Sequence, residues 1–424
     1  MKNKIYYASL DIGTSSIAAA ISIRKESGTL ELISLASQPL RAIKNGIITN
    51  LETVSEAIRH VITKAEMIAG INIPPLVINV GSTQSQGFQS HGIVAVAGVG
   101  SHGEREVTLN DIERVVEMAN SVSVPAERVI LHSIPYRFLV DHVDVEEPHG
   151  TSGLRLESEV YLVTQNKAML ESLHKVVTKA GYKVDEIILQ SIASVEGVID
   201  EEEKKMGTLL IDIGGLLTDY VFIKNNGIVL TGVIPVGSDH ITKDLAYGLK
   251  TTFHQAELLK IKHGKILVEP KSAPEYMTVP LASQNRTARI PKHVLSQIIE
   301  PRVSELLTLI KNQVAKDLKN NNLYTSIVLT GGGALTQDIV EIAEDIFHLP
   351  ARIGKPLITS SVQEDVYSPV HATLIGLQRL ALEKWNRAHK PQHHFSTPHE
   401  LHATHSSNAS RSKLGAYFKN LFQS

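Results

Sequence analysis

Cysteine is absent from all 424 residues, which excludes disulfides, thiol catalysis and cysteine-ligated metal sites and suits a reducing cytosol. Excess charge of either sign is missing too. Against 42 Lys and Arg stand 44 Asp and Glu, a formal charge of −2, so there is no overall basic field and nucleic-acid binding is not expected. No uninterrupted apolar run approaches the about 18 residues of a membrane-crossing helix. Lys2 and Lys4 run into Asp11 after one short apolar stretch, so no secretory leader is expected either. What is present is 42% hydrophobic residues, an ordinary globular content, in a chain long enough for two or more domains.

One device occurs twice. A strand over Ile5–Leu10, a turn at Asp11-Ile12-Gly13-Thr14-Ser15 and a strand over Ile17–Ile23 predict a hairpin; Thr208–Ile211, Asp212-Ile213-Gly214-Gly215 and Thr218–Ile223 repeat it. An internally duplicated α/β architecture follows. Between the copies, a helix over Leu51–Ala69 is capped by Asn50 and closed by Gly70, ahead of a strand at Leu76–Val80. Residues 84–164 predict a small α+β module, with strands near Gly92–Ala97 and Glu159–Thr164 around a helix at Asn110–Val122. Further on come an irregular stretch over Glu269–Ile290, a helix over Pro291–Leu318, a strand at Ser326–Thr330, three glycines at 331–333, and helices at Asp338–Phe347 and Pro369–Trp385.

Glycine lets backbone approach a ligand closely, successive amides converge on phosphate oxygens, and a neighbouring Asp holds the water shell of Mg²⁺. Each Asp-x-Gly turn alone is weak, because many structural hairpins carry one. The pair, together with a strand followed by Gly331-Gly332-Gly333 where a helix starts, points to a nucleotide clamp. Gly98–Gly103 matches G-x-G-x-x-G, yet Glu104–Thr108 reads as extended and Asn110 as the helix cap, so a hairpin loop is expected there rather than a dinucleotide site.

These motifs resemble those of the actin, Hsp70 and sugar-kinase superfamily, and within it the FtsA family of bacterial division proteins. The resemblance rests on Leu10–Ser16, Pro148–Glu157, Leu210–Asp219, Ile234–Leu249, Ala256–Lys260, Ile298–Glu305, Val328–Leu335 and Ile353–Pro356, and covers about residues 5–385 and the tail. It implies an actin-like duplicated α/β fold, two ribonuclease-H-like halves around a nucleotide cleft. The first core subdomain would comprise 1–83, 165–205 and 357–387, with the inserted subdomain at 84–164; the second core would comprise 206–240 and 326–356, with an FtsZ-binding subdomain at 241–325. It further implies ATP and Mg²⁺ as ligands. Gly13, Thr14 and Ser15 would surround the β- and γ-phosphates, and Asp11 and Asp212 would lie near Mg²⁺. Gly214, Gly215 and Thr218 would form the second phosphate loop, Gly237 would also belong to the nucleotide site, Gly331, Gly332 and Gly333 would face adenosine, and Glu257 and Lys260 the ribose and base. Gln190 would orient water beside Asp11 and Asp212 as the catalytic group. Two departures bear on hydrolysis: Leu216 replaces a third glycine and Leu217 a small residue or Thr, so weak ATPase activity at most is expected.

From Ala388 to Arg411 the chain turns rich in His, Ser and Pro, which predicts a 24-residue flexible linker spanning roughly 25–30 Å. His389, His393, His394, His399, His402 and His405 lie in it without the H-E-x-x-H spacing, and read as a solvated segment, not a metal site. Over 412–424, Leu414, Tyr417, Phe418, Leu421 and Phe422 share one face of a helix, with Lys413 and Lys419 off it and Arg411 just before. That is the pattern of an amphipathic anchor for an anionic membrane. Arg286, Arg289, Lys292 and Arg302 gather near one helix start; such runs are often only solvated faces, but the resemblance implies that this subdomain receives the acidic C-terminal peptide of FtsZ. The function expected from the resemblance is a scaffold that polymerises on the inner face of the cytoplasmic membrane at the division site, tethers FtsZ there and recruits later division proteins. Alternatives are a pilus-assembly scaffold of the same fold and a small-molecule kinase.

Overall fold

The computed structural model describes residues 4–96, 103–267, 275–282, 286–319, 323–358, 360–361 and 363–388. Ala388, the expected start of the linker, still closes the helix Ala372–Ala388; the rest of the predicted linker and the amphipathic helix lie outside the described residues, as does most of the Gly98–Gly103 loop. The chain divides into two compact units: one is Met1–Phe88, Val124–His132 and Val163–Arg379, the other Gln89–Ser123, Ser133–Leu162 and Leu380–Ser424.

The larger unit contains two sheets built on one plan. In the first, the hairpin Tyr6–Ile12/Ser16–Arg24 extends antiparallel to Leu30–Pro39 on one side, and on the other runs parallel to Leu76–Val80 and then Val184–Leu189. In the second, Thr208–Ile213/Thr218–Lys224 extends to Gly227–Ile234, and on the other side to the parallel strands Ser326–Thr330 and Ala351–Ile353. The registers match: Asp11 pairs with Ala18 as Asp212 pairs with Asp219. Both strand pairs are buried on both faces, so they read as largely apolar runs, interrupted by Asp11 and Asp212 where the turns begin and by buried Ser9, Ser22 and Asp219.

Helix Leu51–Ala69 covers the first sheet through Val54, Ile58, Val61, Ile62 and Ala65; the Asn50 side chain accepts from the Thr53 amide, and Gly70 closes the helix at φ +68°. On the second sheet, helices Ser238–Gly248, Phe253–His263 and His293–Asp317 complete one core with it. Two predictions need correcting here. The stretch thought irregular contains a hairpin, Tyr276–Pro280 with Thr287–Pro291, whose buried Met277 and Val279 alternate with exposed neighbours; its Pro, Ser and Arg content concealed this period of two. Pro291 therefore ends a strand, and the helix starts at His293. Also, Gly332–Leu335 is a short 3₁₀ turn, with the α-helix starting only at Ile339.

The smaller unit contains parts of a four-stranded sheet, Val143–Val145, Arg128–Val140, Arg155–Asn166 and Gln86–Ala95 in that order, and helix Leu109–Asn120. Gly92 lets this helix seat, since a Cβ there would lie 2.0 Å from the Val115 carbonyl oxygen. The N-cap is Thr108, not the predicted Asn110, because Thr108 and Asp111 form a reciprocal capping box. Burial alone would raise the Asp111 carboxyl, but the Arg105 guanidinium and the Thr108 hydroxyl and amide hold it well below the ordinary carboxylate range. A depressed folded pKa contributes stability above the unfolded value near about 4, and that contribution is lost as pH falls further. Asp111→Asn should therefore cost about 2 kcal/mol at neutral pH, with the deficit shrinking below about pH 4; urea melts of the full chain at both pH values measure it.

Candidate nucleotide cleft

The two hairpin turns meet across one cavity of about 540 Å³. Each is closed by a matching backbone bond, Gly13 amide to Ser16 carbonyl at 3.0 Å and Gly214 amide to Leu217 carbonyl at 2.9 Å. The loops touch: the Leu216 amide donates to Thr14 Oγ1 at 3.1 Å, and a Cβ on Gly215 would stand 1.6 Å from Ser15 Oγ. Among the described residues the amides of Thr14, Ser15 and Gly215 find no hydrogen-bond acceptor, which leaves donors from both turns for an oxyanion. Leu216 and Leu217 sit there without left-handed backbone, so neither position demands glycine for its conformation.

Carboxylates lie beneath the turns. Asn79, buried at the end of an otherwise apolar strand, accepts from the Ile12 amide at 2.8 Å and donates to Asp11 Oδ1 at 2.7 Å and Gln190 Oε1 at 3.3 Å. Asp212 Oδ2 accepts from Ser194 at 2.6 Å and Thr373 at 3.3 Å. Burial first, then the Asp212 charge, pushes Asp11 up to about 7 against the Asn79 bond; burial also raises Asp212, against bonds from Ser194, Gln190 and Thr373. Asp219, the cross-strand neighbour of Asp212, is buried with neither oxygen hydrogen-bonded among the described residues; burial and then the charges of Asp212 and Asp11 raise its carboxyl well above the usual range. Acids that resist ionisation until a cation arrives suit a divalent metal riding on a polyphosphate.

Gly331 passes over Asp212 at φ +81°, where a Cβ would lie 2.3 Å from Asp212 Oδ1, and Gly332 lines the wall beside it. Opposite, Lys260 Nζ contacts Glu257 Oε2 at 2.9 Å, Thr242 Oγ1 at 2.8 Å and the Ser238 carbonyl at 3.1 Å. The cavity thus gathers Asp11, Gly13, Thr14, Ser15, Gln190, Asp212, Gly214, Gly215, Glu257, Lys260, Gly331 and Gly332. It does not gather Thr218, Gly237 or Gly333. Thr218 is buried, donating to the Val236 carbonyl; Gly237 packs on the Gly214 and Gly215 carbonyls; Gly333 packs on the Ile213 side chain. These three support the loops from behind. Residues absent from the sequence reading are Asn79, Ser194, Thr373 and Asp239; of these only Asn79 leaves a local trace, as a polar residue within Leu76–Val80.

The basic residues near the His293–Asp317 helix are not pooled. Lys292 pairs with Glu275 at 2.6 Å, Arg302 with Asp244 at 2.6 Å and with Glu305, and Arg289 stacks 4.4 Å over the Tyr276 ring; exposed Arg286 precedes the hairpin's second strand.

Two duplicated sheets with paired turns over a shared acid-floored cavity define an actin-like protein. Solved structures agree on the fold: the PilM–PilN type IV pilus biogenesis complex matches with TM-score 0.64 at 15% identity, covering 90% of this chain and 99% of that one. MreB5 of Spiroplasma citri bound to ADP matches with TM-score 0.51 at 16% identity, over 90% and 98%. Residues 209–376 match the family Cell division protein FtsA, and residues 83–164 the SHS2 domain inserted in FTSA. Cell division protein FtsA of Pseudomonas aeruginosa is 34% identical over 88% of this chain and 89% of its own length, and that of Escherichia coli K12 31% identical over 87% and 88%. The chain belongs to the FtsA family.

Proposed function

We propose that this chain binds ATP with Mg²⁺ in the cleft, polymerises with copies of itself, and tethers FtsZ filaments to the inner face of the cytoplasmic membrane at the division site, where it recruits later division proteins. The observation that carries the nucleotide reading is the convergence of two matched turns, with free amides, over Asp11 and Asp212. In that reading Gly13–Ser15 and Gly214–Gly215 hold phosphate oxygens, Asp11 and Asp212 receive the metal through its water, Gln190 orients a water, and Gly331, Gly332, Glu257 and Lys260 frame the nucleoside. Bound Mg²⁺ supplies the charge that lets the phosphates lie against these acids. In this reading the role is chiefly that of a scaffold, with weak ATPase activity at most, and the Leu217 side chain on the cavity wall is what crowds the second phosphate loop.

The subdomains serve this role as the resemblance implies, with 84–164 and 241–325 as interaction modules on the two cores. Membrane attachment rests on the 412–424 pattern. Each inserted apolar side chain is worth up to about 1.5–3 kcal/mol and each cation about 1 kcal/mol near an anionic leaflet, so a single tail binds weakly and a polymer turns many tails into avidity. The test is co-sedimentation with anionic vesicles of the full chain and of a chain ending at Ser410, each with and without Mg²⁺·ATP. Tail-dependent pelleting that rises with ATP is expected; equal pelleting of both chains would sink the anchor. Capture by an FtsZ C-terminal peptide distinguishes this role from a pilus-assembly scaffold.

A further inference from the structure

Asp239 stands in the first turn of helix Ser238–Gly248, 6% exposed, and lines both the main cavity and a second one that adjoins it. Its Oδ1 accepts from Ser15 Oγ at 3.2 Å, and its Oδ2 lies 3.6 Å from Arg41 Nη1. Arg41 follows the Leu30–Pro39 strand of the first sheet, and its guanidinium rests 4.2 Å above the ring of Phe253, at the start of a helix packed on the second. A loop hydroxyl and a guanidinium converging on one carboxylate are the donors that a phosphoryl oxygen also takes. On the wall of the main cavity, meanwhile, the described acids are Asp11, Asp212, Asp239 and Glu257, and the described cation is Lys260, already paired with Glu257.

We propose that Asp239 is an internal stand-in for the terminal phosphate of a nucleoside triphosphate, holding Ser15 and Arg41 until that phosphate displaces it. This rests on the nucleotide reading above and adds how the site tells a triphosphate from a diphosphate. The γ-phosphate takes over the Ser15 hydroxyl and the Arg41 guanidinium. The released carboxylate turns into the second cavity, where Lys44 and Lys243 have no carboxylate partner among the described residues. A diphosphate ends short of this position and leaves Asp239 in place. Because Arg41 comes from the first sheet's side and reaches Asp239 and Phe253 on the second sheet's side, the exchange also reports triphosphate occupancy across the cleft.

The test is calorimetric binding of ATP and ADP, each with Mg²⁺, to the full chain, to Asp239→Asn, which keeps the shape and loses the charge, and to Arg41→Ala. Asp239→Asn is expected to tighten ATP about 10-fold and Arg41→Ala to weaken it about 10-fold, with ADP within about 2-fold of the unaltered chain in both. Arg41→Lys, which keeps the charge, should recover part of the loss. Weaker ATP binding by Asp239→Asn would make the carboxylate a metal support and overturn the proposal, as would equal shifts for ATP and ADP or no shift at all. An unaltered chain that binds neither nucleotide overturns the nucleotide reading itself, an outcome distinct from equal shifts.

Discussion

Replacing Gly376 with alanine should lower the stability of the chain by about 3 kcal/mol, read as a drop in urea midpoint with unchanged slope. Helix Ala372–Ala388 crosses helix Gln190–Val198 backbone to backbone, and a Cβ on Gly376 would lie 1.6 Å from the Ala193 carbonyl oxygen; Gly197 answers from the other helix, 2.1 Å from the Ala372 carbonyl oxygen. No flexible side-chain end gives way there, so the helices must part. The consequence reaches the cleft, because Ser194 and Thr373, one on each helix beside the crossing, are hydrogen-bonded to each other at 2.9 Å and both to Asp212. Gly103→Ala is the control: nothing among the described residues lies within 4 Å of its added carbon, and its midpoint should not move. A Gly376→Ala chain as stable as the unaltered one would show that the helices are not held at this spacing.

How far the cleft was legible depended on whether its determinants are local. The hairpins announce themselves, since Asp-x-Gly between apolar strands is a turn whatever surrounds it, and the duplication shows the two sheets as a pair. The loop glycines that line the cavity are legible for the same reason. Thr218, Gly237 and Gly333 share those motifs, yet only the packing shows that they brace the loops from behind. Asn110 is as competent a cap residue as Thr108 by type, and what places the cap at Thr108 is Asp111, three residues after it. The hairpin over Tyr276–Pro291 was hidden by composition although Met277 and Val279 carry the strand period. What no local pattern contains is the set of bonds that arms the site: Thr373 reaches Asp212 over 161 positions and Ser15 reaches Asp239 over 224. Their residue types are ordinary, and only the fold makes them neighbours.

The acids of the cleft predict a chain that loses stability as pH rises, against the usual behaviour of carboxylates. Asp11 titrates at about 7 in the folded chain against an unfolded value near about 4. Between those values the folded state binds the extra proton, so the sign is negative: stability is greatest below about pH 4 as far as this group is concerned, and falls until about pH 7. A three-unit gap amounts to on the order of 3–4 kcal/mol when complete, reduced where water reaches the cleft wall. Asp219 adds to the same trend, being buried without a hydrogen bond near Asp212 and Asp11. Asp11→Asn should accordingly flatten the profile between pH 5 and 8, and Asp219→Asn should stabilise the ligand-free chain at pH 8 by about 1–3 kcal/mol, because an amide at this buried position has no proton to hold against the rising pH. Urea midpoints at both pH values measure each. Mg²⁺·ATP should do reversibly what the asparagines do permanently, so its stabilisation of the unaltered chain should be larger at pH 8 than at pH 5. A profile that rises from pH 5 to 8 in the unaltered chain and stays unchanged in Asp11→Asn would mean that these carboxyls ionise freely, and that the cleft floor is far wetter than its packing implies.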